Sequence, residues 1–263
     1  MRYWIMLAVS LAFSAVGFYM YIYFFSVGYG LSAAALGVAL AIGFRARLGA
    51  GELLVCALLL VYGLRLGGYL LIREIRSKSY RRVLSPELER SRRMGLGPKL
   101  AIWISCALLY TLEVIPVYFR LRNGAAADAT LWAGAAVMAC GLALEAAADL
   151  QKSAAKRRAP YAFVSTGLFG FVRCPNYLGE MVFWLGVLLS GAGALRGTGQ
   201  WLLALSGYAL LVYIMFSGAR RLEIRQDRNY GNDPAYQRYV KRVPILLPFV
   251  PLYSVKKYRF LVA

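Results

Sequence analysis

The stretch TGLFGFVRCPNYLGE, residues 166–180, joins a basic segment to a long apolar one. Pro175 disfavours a helical conformation at the residue before it and suits the first turn of a helix, so a helix is predicted to begin at about Pro175 or Asn176. Asn176 and Glu180 are then four residues apart on one helix face. Because burying an amide and a carboxylate together costs free energy, the pattern favours a ligand or partner at this helix start.

A purely structural interpretation of the same stretch is also open. In it, Arg173 and Asn176 cap a loop and Glu180 pairs with a nearby arginine. Spacing alone does not separate this interpretation from a ligand site.

The composition is that of an integral membrane protein. Hydrophobic residues make up 60% of the 263 residues, more than a soluble domain carries. The net charge is +19, but the basic residues lie between apolar runs, where cytoplasmic loops and anionic lipids account for them. We therefore expect membrane lipids as partners and no nucleic acid. Histidine is absent, which excludes histidine acid-base catalysis and most zinc sites, and no metal is expected.

Seven transmembrane helices are predicted, so the expected fold class is all-α and multi-pass. Each span needs about 20 apolar residues. The seven runs are residues 3–25, 31–44, 52–72, 100–119, 130–150, 177–194 and 200–217. One domain, residues 1–263, is expected to contain them all.

The basic residues predict the topology. They concentrate in residues 73–99, residues 152–173 and the tail from Arg220 onward. With seven spans these segments share one face, which the positive-inside rule makes cytoplasmic. The N-terminus is then outside and the C-terminus cytoplasmic. The opposite face keeps only Arg2, Arg45, Arg47, Arg120, Arg122 and Arg196.

Polar residues form a stripe along the third predicted span. Tyr62, Arg65, Tyr69, Arg73 and Arg76 recur at intervals of three and four residues. Such a stripe indicates a cavity lined from mid-membrane to the cytoplasm. A deep tyrosine can donate a hydrogen bond to a carbonyl group, and arginines nearer the surface can bind phosphates.

Ionisable side chains inside spans are functional candidates. Glu113 lies in the fourth predicted span, Glu145 in the fifth, and Asp149 at the cytoplasmic end of the fifth. Glu145 and Asp149 are four residues apart and share a helix face. The structural alternative is that these acids pair with arginines of neighbouring helices and hold the bundle together.

Three segments resemble the steroid 5-alpha-reductase and sterol reductase superfamily, including its bacterial branch. Residues 173–180, RCPNYLGE, resemble its RHPNYFGE signature, with Cys174 where most relatives have histidine. Residues 148–152, ADLQK, resemble the ADxQK segment that precedes the signature. Tyr236, Tyr239, Pro248 and Phe249 resemble its closing YxxY and Pro-Phe elements. The resemblance covers about residues 62–249, and the first two spans carry none.

The resemblance implies a seven-helix membrane reductase with NADPH in a cytoplasm-facing cavity. Its substrate would be an enone lipid such as a 4-ene-3-oxosteroid. Residues 51–263 would form the cofactor-binding core, and residues 1–50 would be variable N-terminal helices. Tyr62 matches the tyrosine that binds the substrate carbonyl. The implied cofactor contacts are Arg65, Arg76, Asp149, Lys152, Arg173, Asn176, Glu180, Arg220, Arg221, Glu223, Arg225 and Tyr236.

One departure from the family concerns the acid that accompanies the substrate tyrosine. The steroid reductases carry a glutamate on the second span, and no acid precedes Glu52 here. Glu113 is the predicted substitute and, with Tyr62, the second catalytic candidate. A phenol donor in a dry cavity would stabilise the enolate that develops when hydride adds to the β carbon.

Two other functions remain open. Isoprenylcysteine carboxyl methyltransferases share the Arg-x-Pro-x-Tyr-x-Gly core and a similar tail, and they use S-adenosylmethionine. A non-enzymatic lipid transporter would place polar residues through to the outer face, whereas here they crowd toward the cytoplasmic half. The expected protein is a monomer in a bacterial inner membrane, or in the endoplasmic reticulum of a eukaryote, with its active site open to the cytoplasm.

Overall fold

The computed structural model describes residues 1–76 and 78–262, which form helices and irregular segments and contain no strand. This confirms the predicted all-α class. The α-helices are α1 Tyr3–Ser14, α2 Val27–Gly43, α3 Ala50–Arg76, α4 Lys78–Arg93, α5 Leu96–Glu113, α6 Ile115–Asn123, α7 Ala129–Arg158, α8 Pro175–Ala192, α9 Gly197–Tyr230 and α10 Pro234–Arg242. Short 3-10 helices lie at Ala15–Phe18, Tyr21–Phe25, Arg45–Arg47 and Gly167–Gly170.

Among the described residues, four helices are long and apolar enough to cross a membrane. They are Tyr21–Gly43, which joins a 3-10 helix to α2, and the helices α3, α7 and α9. A fifth candidate is the bent pair Leu84–Arg93 and Leu96–Glu113, whose axes differ by 116°. The chain is therefore a membrane protein with four or five candidate spans.

Two of the predicted spans are broken in the structure. The run 3–25 was predicted as one helix, but α1 ends at Ser14 and two 3-10 helices follow, so Tyr21–Phe25 leads into α2 instead. The run 100–119 is divided between α5 and α6, with Pro116 in the first turn of α6. Proline lacks the N–H that a continuous helix needs and clashes with the preceding turn. An apolar run alone does not reveal such breaks.

The chain forms two compact units. Unit 1 comprises Met1–Ala135 and Val187–Tyr208, and unit 2 comprises Ala136–Gly186 and Ala209–Ala263. The helices α7, α8 and α9 each contribute residues to both units. The single-domain assignment stays a prediction.

In unit 1, glycines let α2 and α3 approach closely. A Cβ atom on Gly30 would lie 2.7 Å from the carbonyl oxygen of Gly63, closer than a side chain allows. Small residues at helix contacts are typical of membrane proteins, because packing at short range is what holds the helices together in lipid. This contact brings Tyr29, next to Gly30, beside Tyr62 on α3.

In unit 2, glycines let α7 and α8 approach closely. A Cβ atom on Gly141 would lie 2.7 Å from the carbonyl oxygen of Gly179, and one on Gly179 would lie 2.6 Å from the backbone nitrogen of Glu145. The glycine of the RCPNYLGE stretch thus allows α8 to pack directly on the helix that carries Glu145 and Asp149.

Candidate functional site

The RCPNYLGE stretch starts α8 at Pro175, which confirms the predicted helix start. The two residues before Pro175 are held in place by backbone hydrogen bonds. Arg173 N–H donates to the Pro244 carbonyl at 2.9 Å, and Cys174 N–H donates to the Ile245 carbonyl at 3.0 Å. The loop that precedes α8 is therefore anchored on the chain segment that follows α10.

A buried ion pair reinforces this anchor. Arg173 Nη2 donates to Glu223 Oε1 at 3.1 Å and also to the Tyr253 carbonyl. The other carboxylate oxygen of Glu223 accepts the Val255 N–H at 2.9 Å. Both side chains are buried. These two predicted cofactor contacts thus bind each other and the C-terminal segment.

Several polar atoms at the start of α8 lack such partners. Asn176 Oδ1 and the Nε and Nη1 atoms of Arg173 are buried, and within residues 1–76 and 78–262 none of them has a hydrogen-bond partner. Buried polar groups are nearly always hydrogen-bonded, because an unsatisfied one costs about 1–3 kcal/mol. Their arrangement fits a ligand that supplies both a donor, to Asn176, and an acceptor, to Arg173.

Unit 2 also buries three acids near this helix start. Glu145 and Asp149 lie one turn apart on α7, and Glu180 lies one turn after Asn176 on α8. The backbone of Gly179 packs against that of Glu145, which brings the acid-bearing turns of the two helices together. Carboxylates accept hydrogen bonds from hydroxyl and amide groups, so these side chains could accept from a polar ligand at this helix start. Lys152, one turn after Ala148, is half-buried.

Tyr236 is committed to contacts within the chain. Its hydroxyl donates to Asp227 Oδ1 at 2.7 Å, and Asp227 also pairs with Lys256. Burial, together with the neighbouring Asp227 carboxylate, raises the pKa of Tyr236 above its ordinary value. The Tyr239 hydroxyl donates to the Phe169 carbonyl at 2.8 Å, so the YxxY pair ties α10 to the segment before α8.

The predicted contacts on α9 differ in their surroundings. Arg220 donates to the carbonyls of Lys256 and Leu261, both at 3.2 Å, and so holds the C-terminal segment. Arg221 and Arg225 are exposed. Of the predicted cofactor contacts on α9, these two arginines therefore expose their positive charge to solvent.

In unit 1, Tyr62 lies in a cluster of three tyrosines. It is fully buried, and its hydroxyl donates to the Tyr29 hydroxyl at 3.4 Å. The ring centroids of Tyr29 and Tyr110 are 4.9 Å apart, and the Tyr110 hydroxyl donates to the Phe24 carbonyl. Sequence reasoning missed Tyr29, whose only signal was an isolated tyrosine between Gly28 and Gly30 in an apolar run.

The other predicted residues of unit 1 lie on α3 and α5. Glu113 is buried at the last residue of α5, where the helix breaks before α6. The Arg65 guanidinium lies 5.6 Å from the centroid of the Tyr69 ring, which accounts for one step of the predicted polar stripe. Arg76 is exposed at the end of α3.

The predicted site residues therefore form two groups, each described within its own unit. Tyr62, Arg65, Arg76 and Glu113 belong to unit 1. The remaining ten belong to unit 2: Asp149, Lys152, Arg173, Asn176, Glu180, Arg220, Arg221, Glu223, Arg225 and Tyr236.

Comparison with known proteins identifies a family. Residues 24–243 match the family model described as protein of unknown function (DUF1295). No curated protein and no solved structure matches the chain. Since the family model spans well over half of the sequence, the chain belongs to the DUF1295 family.

Proposed function

We propose that the protein is a membrane reductase that uses NADPH to reduce the carbon-carbon double bond of an enone lipid, such as a 4-ene-3-oxosteroid. The observation that carries the proposal is the start of α8. There Asn176 Oδ1 and two nitrogens of Arg173 are buried with no hydrogen-bond partner among the described residues. The resemblance of RCPNYLGE to the reductase signature supports the same assignment.

In this proposal unit 2 holds the nucleotide. The carboxamide and ribose groups of the nucleotide are bound by Asn176, Asp149 and Glu180. The side-chain oxygen atoms of these residues accept hydrogen bonds from the N–H and O–H groups of the nucleotide. Positive charge for the phosphates comes from Lys152, Arg173 and the exposed Arg221 and Arg225. When bound, NADPH supplies the hydride. Glu223, Arg220 and Tyr236 position the surrounding segments through the contacts described above.

Tyr62 in unit 1 is the proposed substrate-binding phenol. Hydride adds to the β carbon of the enone, and the electron pair of the double bond moves toward the carbonyl oxygen. Tyr62 donates its proton in a hydrogen bond to that oxygen, and a proton added at the α carbon completes the reduction. Tyr29 supplies the hydroxyl that contacts Tyr62, and Glu113 remains the proposed acid.

Seven spans are part of the proposal. The four long apolar helices, α5 of the bent pair, α8 and the shorter apolar Tyr3–Phe18 make seven crossings. The polar residues Asn176 and Glu180 in the first two turns of α8 lower its mean hydropathy. With seven crossings, the basic segments lie on the cytoplasmic face, the N-terminus outside, and the cofactor site toward the cytoplasm.

Cofactor titration tests the proposal. The purified protein in mild detergent would be titrated separately with NADPH, NADP⁺ and S-adenosylmethionine while its unfolding temperature is followed. A ligand at 100 times its Kd adds about 2.7 kcal/mol to the stability of the folded state. We expect stabilisation by the nicotinamide nucleotides alone. Stabilisation by S-adenosylmethionine alone would contradict the reductase proposal and indicate a methyltransferase.

A variant pair locates the binding. Asn176→Ala should weaken NADPH binding about tenfold, because it removes a buried hydrogen-bonding group. The control is Asn232→Ala, since Asn232 is exposed after α9. Equal NADPH affinity in both variants would remove the start of α8 from the cofactor site.

A further inference from the structure

A basic cavity lies at the end of unit 1 where α2 ends and α3 begins. Its volume is about 510 Å³, and Met1, residues 42–47 and Arg122 line it. Three of these lining residues are arginines, Arg45, Arg47 and Arg122, and none is acidic. The reductase proposal uses none of them.

The three arginines line the same cavity, and no carboxylate among the described residues forms an ion pair with them. Arg47 Nη1 donates to the Arg122 carbonyl at 3.1 Å, and the Arg122 guanidinium lies 6.0 Å and 5.9 Å from the ring centroids of Tyr3 and Tyr118. Within the described part of the chain, none of the three arginines pairs with a carboxylate. Like charges that line one cavity repel one another, and an anion bound between them reduces this repulsion.

The nearest acids in the sequence, Glu52 after residues 42–47 and Asp128 after Arg122, make their hydrogen bonds outside the cavity lining. Glu52 Oε2 accepts the Gly49 N–H at 3.2 Å. Asp128 pairs with the buried Arg120 at 2.8 Å. The side chains that line the cavity therefore carry a net positive charge, which comes from the three arginines.

Large exposed side chains beside the cavity indicate that it lies at the membrane interface. Ile42 lines the cavity and the Tyr3 ring lies beside the Arg122 guanidinium, and these side chains are 67% and 59% exposed, although they are large and apolar. Tyrosine and tryptophan are enriched at membrane interfaces, where an apolar ring and a polar edge are both accommodated. The three arginines thus lie beside side chains suited to the level of the lipid headgroups.

We propose that this cavity binds the phosphate of an anionic phospholipid headgroup in the leaflet that adjoins this end of unit 1. Guanidinium groups bind phosphate oxygens in a bidentate manner, and a cluster of them favours anionic over zwitterionic lipids. Exposed Ile42 and Tyr3 favour a lipid over free phosphate, because they can contact its glycerol and acyl parts.

Lipid titration of matched variants tests this site. The full-length protein in non-ionic detergent would be titrated with short-chain phosphatidylglycerol and, separately, phosphatidylcholine, and bound lipid would be counted by native mass spectrometry. The test variant is Arg45→Gln/Arg47→Gln/Arg122→Gln. The control, Arg157→Gln/Arg158→Gln/Arg238→Gln, removes the same charge at three exposed positions.

We expect phosphatidylglycerol to bind the test variant on the order of 100-fold more weakly than it binds the wild type, from the contribution of each basic residue near a lipid surface. The control should keep wild-type affinity. Arg45→Gln alone should weaken binding about fivefold and preserve the fold, since Arg45 is exposed.

Three outcomes would overturn the site. Equal weakening in test and control variants would show a general charge effect. If phosphatidylcholine binds as tightly as phosphatidylglycerol, the cavity does not select an anionic headgroup, and the proposal is wrong. Inorganic phosphate that displaces the lipid at equal concentration would make the cavity a site for small free anions.

Discussion

At the scale of single residues, Tyr62 carries the most specific chemical prediction. It is fully buried and its hydroxyl meets another hydroxyl, so it offers a phenol donor shielded from water. Tyr62→Phe should lower kcat for enone reduction about 100-fold, because it removes the donor to the developing enolate. NADPH affinity should stay at the wild-type value. The measurement is enone-dependent NADPH oxidation beside a cofactor titration, and unchanged turnover would exclude Tyr62 from the reaction.

Glu223 tests the buried ion pair. Glu223→Gln leaves the buried Arg173 guanidinium without its counter-charge. We expect a loss of about 3–5 kcal/mol in the free energy of unfolding, because breaking a buried pair leaves an uncompensated charge. Denaturant unfolding in detergent measures the change, and Arg228→Gln, at an exposed position of the same helix, is the control. A stable Glu223→Gln protein that has lost only NADPH affinity would instead assign Glu223 to the cofactor.

At the scale of helices, Gly179 tests the packing of α8 on α7. Gly179→Ala places a methyl group 2.6 Å from the Glu145 backbone nitrogen, so one helix must shift. The expected cost is about 1–3 kcal/mol of stability. Gly68→Ala is the matched control, since a methyl group there meets nothing within 4 Å and alanine favours the helix. Thermal unfolding of the two variants compares them, and equal midpoints would contradict the close helix contact.

The connection between α6 and α7 predicts a pH dependence. Partial burial raises the pKa of Asp128, but hydrogen bonds from Arg120, Thr130 and the Leu131 N–H outweigh it and lower this pKa to about 2. The ordinary value in an unfolded chain is close to 4. A lowered pKa stabilises the fold fully above pH 4, and this stabilisation is lost as the pH falls toward 2.

Unfolding temperatures measured between pH 6 and pH 2 should therefore fall more steeply for the wild type than for Asp128→Asn. The asparagine variant cannot lose a negative charge, so it lacks this contribution at every pH. Parallel curves for the two proteins would show that the Arg120–Asp128 contact does not contribute through ionisation.

At the scale of the whole molecule, the uneven distribution of basic residues predicts the orientation in the membrane. Arg158 follows the fifth predicted span and Arg196 precedes the seventh, on opposite faces in the seven-span topology. Arg196→Cys in intact cells should react with a membrane-impermeant maleimide, whereas Arg158→Cys should react only after permeabilisation. The unmodified protein measures labelling of its own four cysteines. The opposite labelling pattern would reverse the orientation.

Local signals in the sequence predicted the helical class, the membrane character and the start of α8. These features depend on nearby residues: an apolar run of sufficient length partitions into lipid, and Pro175 limits the backbone conformation on both sides of it. The same reasoning missed the breaks after Ser14 and Glu113, because both lie within continuous apolar runs.

Residues close together in the chain are thus enough to specify apolar helices and a polar helix start at Pro175 that interrupts them. Folding of the whole chain is needed to pair Arg173 with Glu223, 50 positions away, and to place Tyr62 against Tyr29, 33 positions away. Partners at such separations are selected by how helices pack and by which buried charges must be compensated. That packing depends on contacts such as those at Gly30 and Gly179, which no local pattern of residues encodes.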